Sequence, residues 1–360
     1  MNNNKLLGLE IIRFISALAV LLYHYQLFFW IKNEPVDLVI DNLPLYDYIN
    51  FLYNYGLQGG VTVFWGISGF IFFWKYQDLI INQNFNGKNF FVYRFSRLYP
   101  LHFATLIIVL IFQFFYYLKK DFFYVYQVND LKHFLLQLFF ASNWGFEKDY
   151  SFNGPIWSVS AEVFSYLVFF LTIKMFGKSI LVNISIIIIC VLLRIYKLSN
   201  PISDCLTIFF VCGCSAMIFK IVNLSKHKKI INFIFFIFAI IIPLLVILFE
   251  LTKHKHFIYT FQFIYIPLIS FVFAIELNIL KKFRKIIEVF GNMTYSSYLI
   301  HFPLQLFISL LCLYFNFKIN YYSIYFFTIY IFLIFFFSFL IFNYFEDPVK
   351  KTIRKKFLSN

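Results

Sequence analysis

Leu9-Glu10-Ile11-Ile12-Arg13-Phe14-Ile15-Ser16-Ala17-Leu18-Ala19-Val20-Leu21-Leu22-Tyr23-His24 opens an apolar run that continues to Ile31. At about 100° per residue, Arg13 and His24 project from one face of a helix. The helical rise sets them about 16 Å apart, roughly half the thickness of a bilayer core. Ionisable groups at that depth are costly. They usually face a bundle interior and mark a functional site. The spacing therefore predicts a membrane helix with a polar path running from one side towards its middle.

The rest of the chain agrees. Hydrophobic residues make up 61% of the 360 and charged residues 13%, with a mean hydropathy of +0.77. A soluble domain of this size does not have such a composition. Ten apolar spans are expected, at 9–31, 57–76, 98–118, 157–174, 179–196, 203–222, 230–250, 257–276, 296–316 and 322–344. The stretch from Phe134 to Asn143 is too short to cross and is read as re-entrant or interfacial. The fold class expected is an all-α integral membrane protein forming a single domain over 1–360, with no appended soluble domain.

Charge sets the expected orientation. Lys and Arg are about twice as frequent on the side of the N-terminus, including Lys226, Lys228 and Lys229, Lys281 to Lys285, and the tail from Lys350 to Lys356. By the positive-inside rule that side is cytoplasmic, with both termini inside, in a cell (inner) membrane. The net charge of +14 is explained by this topology, so no nucleic-acid partner is invoked. The first span is too long for a signal peptide, lacks a small-residue cleavage site and contains Arg13 and His24. The five Cys lie in or beside spans without metal-ligand spacing, and no metal site is expected.

Several motifs carry chemistry. Arg94 and Arg97, three apart just before Pro100, form a pair of guanidinium forks at the mouth of span three. Such a pair can clamp phosphates, or serve as ordinary flanking charge. Ser68 and Gly69 in span two suit close helix packing. Asn153-Gly154-Pro155-Ile156-Trp157-Ser158 is a turn leading into span four, with Trp157 as an interfacial aromatic. Glu162 follows about one turn inside. Its expected depth near that of His24 makes it a candidate to orient the imidazole. His301 lies in span nine, one to two turns in, where a helix–helix hydrogen-bonding role is equally plain. His102 is a weaker candidate. His133, His227, His254 and His256 are expected in solvated loops. Glu346-Asp347-Pro348 reads as a surface anchor.

In order, these motifs resemble the acyltransferase 3 family of integral membrane acyltransferases. Leu9 to Ala17 is similar to its Leu-Asp-Gly-Leu-Arg-Gly-Ile-Ala opening, with the Arg13–His24 spacing kept. Phe64 to Phe70, Arg94 to Pro100, Asn153 to Glu162, Tyr295 to Pro303 and Glu346 to Pro348 match its later motifs. Departures are Glu10 for Asp, Ile11 for Gly, and Trp65-Gly66 for an apolar pair. Glu10 can still pair with Arg13 one turn away.

The resemblance implies transfer of an acyl group, commonly acetyl, from acetyl-CoA or another acyl-CoA at the cytoplasmic face. The acceptor it implies is a hydroxyl of a cell-surface or lipid-linked glycan. The acyl-CoA is then a co-substrate, and no bound cofactor is expected. On this reading His24 is the general base, Glu162 orients it or the sugar, and Arg13 holds the donor or meets developing negative charge. Arg94 and Arg97 meet the donor's phosphates, with His301 on the donor side. Glu10, Ser68, Trp157 and Ser158 are structural or acceptor-side candidates. A transporter or flippase with an Arg13, His24 and Glu162 relay is the alternative, and a non-catalytic glycan-assembly scaffold is a third reading. The lack of broken-helix pairs counts against transport. The acceptor, the acyl group and the oligomeric state are not written in the sequence.

Overall fold

The computed structural model describes residues 5–82, 85–249 and 260–358. It is 80% helical with almost no strand. The helices are α1 (Leu7–His24), α2 (Tyr46–Lys75), α3 (Gln77–Ile81), α4 (Gly87–Lys120), α5 (Leu131–Leu138), α6 (Trp157–Phe176) and α7 (Ile180–Ile195). There follow α8 (Pro201–Leu224), α9 (Lys228–Leu248), α10 (Ile266–Ala274), α11 (Asn278–Lys282), α12 (Arg284–Phe315), α13 (Ile324–Ile341) and α14 (Asp347–Leu358). In hydrocarbon the backbone must satisfy its own hydrogen bonds, and a helix does so within one segment. Local signals set some ends. Asn200 caps α8 in a reciprocal box with Ser203, and Pro201 takes the first turn, where a missing N–H costs nothing.

Among the described residues, eight helices are long and apolar enough to cross a membrane. The expected fifth and eighth spans appear as shorter apolar helices, Ile180–Ile195 and Phe261–Ala274. His254 and His256 lie outside the described residues. Four boundaries differ from expectation. Helix α2 starts at Tyr46, not 57. Helix α4 starts at Gly87, not 98, so Arg94 and Arg97 are inside a helix and Pro100 is interior to it. Helix α12 starts at Arg284, so His301 is near its middle rather than one or two turns in. After α13 the chain makes a π turn over Phe342–Glu346 and runs on as α14. Hydropathy detects the apolar part of a helix and misses its polar ends.

The chain folds as two compact units. One comprises Met1–Phe14, Val61–Asn86 and Glu162–Gly291. Its core is a set of packed rings, Phe72, Phe73, Phe169, Phe209 and Phe210. Gly69 lets α2 and α8 touch backbone to backbone, since a Cβ there would sit 2.0 Å from the Phe209 carbonyl oxygen. At one end Asp78 bridges Lys178 and Lys220, each at 2.7 Å.

The other unit comprises Ile15–Gly60, Gly87–Ala161 and Asn292–Asn360. One apolar cluster gathers Tyr25, Phe28, Tyr53, Phe327 and Tyr330, and a second gathers Leu27, Tyr124, Tyr126, Phe152 and Phe302. The segment from Phe134 to Asn143, read as re-entrant or interfacial, begins in the short helix α5, capped by Asp130, and leaves it after Leu138. His133 on α5 is buried, not solvated. Its Nδ1 lies 2.7 Å from Asp130 and its Nε2 accepts the Lys148 N–H at 3.1 Å, which places the ring hydrogen on Nδ1. Glu346 is likewise buried, accepting a hydrogen bond from Ser296 at 2.6 Å. It ties α12 from inside rather than anchoring at a surface. All five cysteines are free thiols, three of them buried.

Candidate active site

The second unit brings two imidazoles together. His24 is the last residue of α1 and His301 sits midway along α12. Their rings stack with centroids 4.9 Å apart and planes 20° from parallel. Both residues are buried, at 4% and 0% exposure. The Nδ1 of His24 and both ring nitrogens of His301 have no hydrogen-bond partner in good geometry. The backbones of Tyr298 and Ser297, one turn back, lie beside the His301 ring. Buried polar atoms are normally satisfied, so a cluster of open ones calls for explanation. Two adjacent rings with open nitrogens can take up and hand on a proton from a bound hydroxyl.

The surrounding residues hold these rings in place through the backbone. Gln305, one turn beyond His301, donates its Nε2–H to the His24 carbonyl at 2.8 Å. This fixes the end of α1, where the helix leaves carbonyls unpaired. Tyr330 on α13 donates to the His301 carbonyl at 3.2 Å. Pro303 has no N–H, so the Leu299 carbonyl loses its helical partner. The buried Asn153 amide donates to that carbonyl at 3.1 Å. The repair falls two residues before His301.

The Asn153-to-Ser158 motif clasps the same turn. The Tyr298 hydroxyl donates to the Pro155 carbonyl and lies 2.7 Å from the Ser158 Oγ. Gly154 is required by proximity, since a Cβ there would meet the Tyr126 ring at 2.3 Å. Burial pushes the Tyr126 phenol up, so it stays neutral. Trp157 starts α6 with its ring 6.3 Å from that of Tyr150. Arg94 and Arg97 lie half-buried in the first turns of α4, three apart on one face as expected. Nearby, α14 docks on the same helix. Arg354 donates to Ser96 and to the Tyr93 carbonyl, at 3.0 and 3.2 Å. His102 is buried with its Nε2 2.7 Å from the Gln137 carbonyl, a structural contact.

The first unit holds the remaining candidates. Arg13 pairs with Glu10 at 3.1 Å, one turn apart on α1. Glu10 packs on Gly291, where a Cβ would come within 2.1 Å of its Oε2. Glu162 accepts from the Ser68 hydroxyl and, at 2.5 Å, from Tyr166. Ser68 is thus a hydrogen-bond donor to Glu162, while its neighbour Gly69 does the packing. Among the described residues no group of three or more His, Cys, Asp or Glu side chains is arranged to hold a metal ion.

Sequence reasoning found His24 and His301 but not their pairing. It did not single out Gln305 or Tyr330. Pro303 was the available signal for Asn153, since a proline inside a span announces an orphaned carbonyl.

A family model described as an acyltransferase domain (Acyl_transf_3) matches residues 6–343, nearly the whole chain. The chain belongs to the acyltransferase 3 family. It is a membrane acyltransferase. No curated protein and no solved structure matches the chain.

Proposed function

We propose that this acyltransferase moves an acetyl group from acetyl-CoA at the cytoplasmic face to a hydroxyl of a cell-surface or lipid-linked glycan. The observation that carries the reading is the stacked His24–His301 pair, buried with the Nδ1 of His24 and both ring nitrogens of His301 unpartnered. The acceptor hydroxyl gives its proton to His24, and its oxygen attacks the thioester carbonyl. The tetrahedral adduct collapses, the C–S bond breaks, and the proton passes from the imidazole to the leaving thiolate. One ester C–O bond replaces one thioester C–S bond, and no other reactant is needed. His301, stacked on His24, shares the proton or orients the acceptor. Arg94 and Arg97 hold the donor's phosphates, as bidentate forks suit phosphate oxygens. Arg13, kept in position by Glu10, meets negative charge on the donor or adduct. Glu162, accepting from Ser68 and Tyr166, holds a sugar hydroxyl.

The excess of Lys and Arg on the side of the N-terminus supports a cytoplasmic donor face in the cell membrane. The test is transfer of radiolabel from acetyl-CoA to a glycan extract by purified protein in lipid. Wild type is expected to label glycan, and His24→Ala to fall about 10²–10⁴-fold, the contribution of a positioned acid–base group. Equal labelling by both would remove His24 from catalysis.

A further inference from the structure

In the first unit a cavity of about 380 Å³ opens at the Lys228 end of α9, against α8, α10 and the end of α2. Trp74, Asn223, Lys228, Lys229, Asn232 and Glu276 give it its polar and aromatic lining. Two ammonium groups meet one carboxylate, and Glu276 is already engaged by Lys281 at 3.4 Å. Among the described residues neither Lys228 nor Lys229 has an ion-pair partner. The cavity is therefore cationic. Asn232 lines the same cavity, and its Oδ1 is buried with no donor to satisfy it. A ligand that fits supplies an anion to the lysines and a hydroxyl to the carboxamide.

Beyond the cavity α9 is bare. None of its apolar stretch is buried within the protein. Ile230, Phe233, Ile237, Ile241 and Leu244 fall on one exposed face that begins beside Lys229. Its opposite side is pinned by Phe235, whose ring lies 4.3 Å from that of Phe271. A cationic pocket at the end of an uncovered apolar helix matches a molecule with a charged head and hydrocarbon chains. A soluble phosphate would leave the apolar stripe unused. Basic pockets between membrane helices recognise anionic headgroups in this way.

We propose that this cavity is a binding site for the headgroup of an anionic phospholipid bearing free hydroxyls, of the phosphatidylglycerol class. Its phosphate sits between Lys228 and Lys229, a glycerol hydroxyl donates to Asn232 Oδ1, and its acyl chains lie along α9. The site is independent of the acyl-transfer reading.

The test uses the full protein in phosphatidylcholine nanodiscs containing a minor fraction of phosphatidylglycerol, with retained lipid counted by native mass spectrometry. Wild type is expected to keep phosphatidylglycerol over phosphatidylcholine. Lys228→Ala with Lys229→Ala is expected to weaken that preference about thirtyfold, at the usual worth of a lysine near an anionic headgroup. The double arginine variant should retain it and controls for folding. Asn232→Leu should weaken phosphatidylglycerol while leaving phosphatidic acid, which lacks the glycerol hydroxyls, unchanged. Equal retention by wild type and the double alanine variant would overturn the site. Displacement of the lipid by inorganic phosphate or acetyl-CoA would overturn its assignment to lipid and make it a soluble-phosphate site.

Discussion

An imidazole buried between membrane helices needs a reason to be there, and His301 has two. Its ring stacks on His24, and its nitrogens stand open beside that ring. Two substitutions separate these roles. His301→Phe keeps a flat ring of similar bulk and removes the nitrogens. If the nitrogens act, this variant should hold its melting temperature while glycan labelling falls at least tenfold in kcat with little change in KM. Labelling near wild type would leave His301 as a packing partner. At this scale the sequence was readable where partners are one turn apart. Glu10 and Arg13 were expected to pair and do so at 3.1 Å. His24 and His301 are 277 positions apart, and no periodicity links two helices at that separation. Their meeting needed coordinates.

At the scale of the element, the middle of α12 is a helix with one bond missing and one lent to it. Pro303 withholds an N–H from the Leu299 carbonyl, and Asn153 supplies one from another segment. Asn153→Ala should therefore cost about 1–3 kcal/mol, the price of an unsatisfied buried carbonyl. Pro303→Ala restores the helical N–H, so in that background Asn153→Ala should cost much less. A double-mutant cycle on thermal or denaturant stability reads this directly, and additive costs would show that the Asn153 bond is not a replacement for the lost one. The helix boundaries show what hydropathy detects. Gly87-Lys88-Asn89 and Arg284-Lys285 are too polar to belong to an apolar span, yet they begin the long helices α4 and α12. A helix continues past the lipid layer as long as its bonds continue. Arg94 and Arg97 thus share a helical face as expected, but in a helix that starts two turns before them and carries Pro100 in its interior.

At the scale of the molecule, the all-α membrane fold followed from composition and span length, because hydrocarbon leaves a spanning chain few alternatives. The grouping of helices into two compact units did not follow, because it depends on contacts between helices distant in sequence. One tie within the first unit is open to titration. Burial pushes the Asp78 carboxyl up, but the ammonium groups of Lys178 and Lys220 outweigh this and hold it below its ordinary value of 3.8. A carboxylate with a depressed folded pKa stabilises above its unfolded pKa and loses that contribution as pH falls through the folded one. The melting temperature of wild type should exceed that of Asp78→Asn at pH 7, and the gap should close below about pH 4. Asp78 is 44% exposed, so the effect is about 1 kcal/mol or less. A gap unchanged down to pH 3 would remove the ion pairs as its source. The thiols have a practical consequence. Cys190, Cys205 and Cys212 are shut away, and Cys214 and Cys312 are half-covered. A water-soluble maleimide therefore meets little native target. One cysteine placed on an exposed loop would carry the label almost alone, and whether intact cells admit the reagent to it reports which way the chain faces.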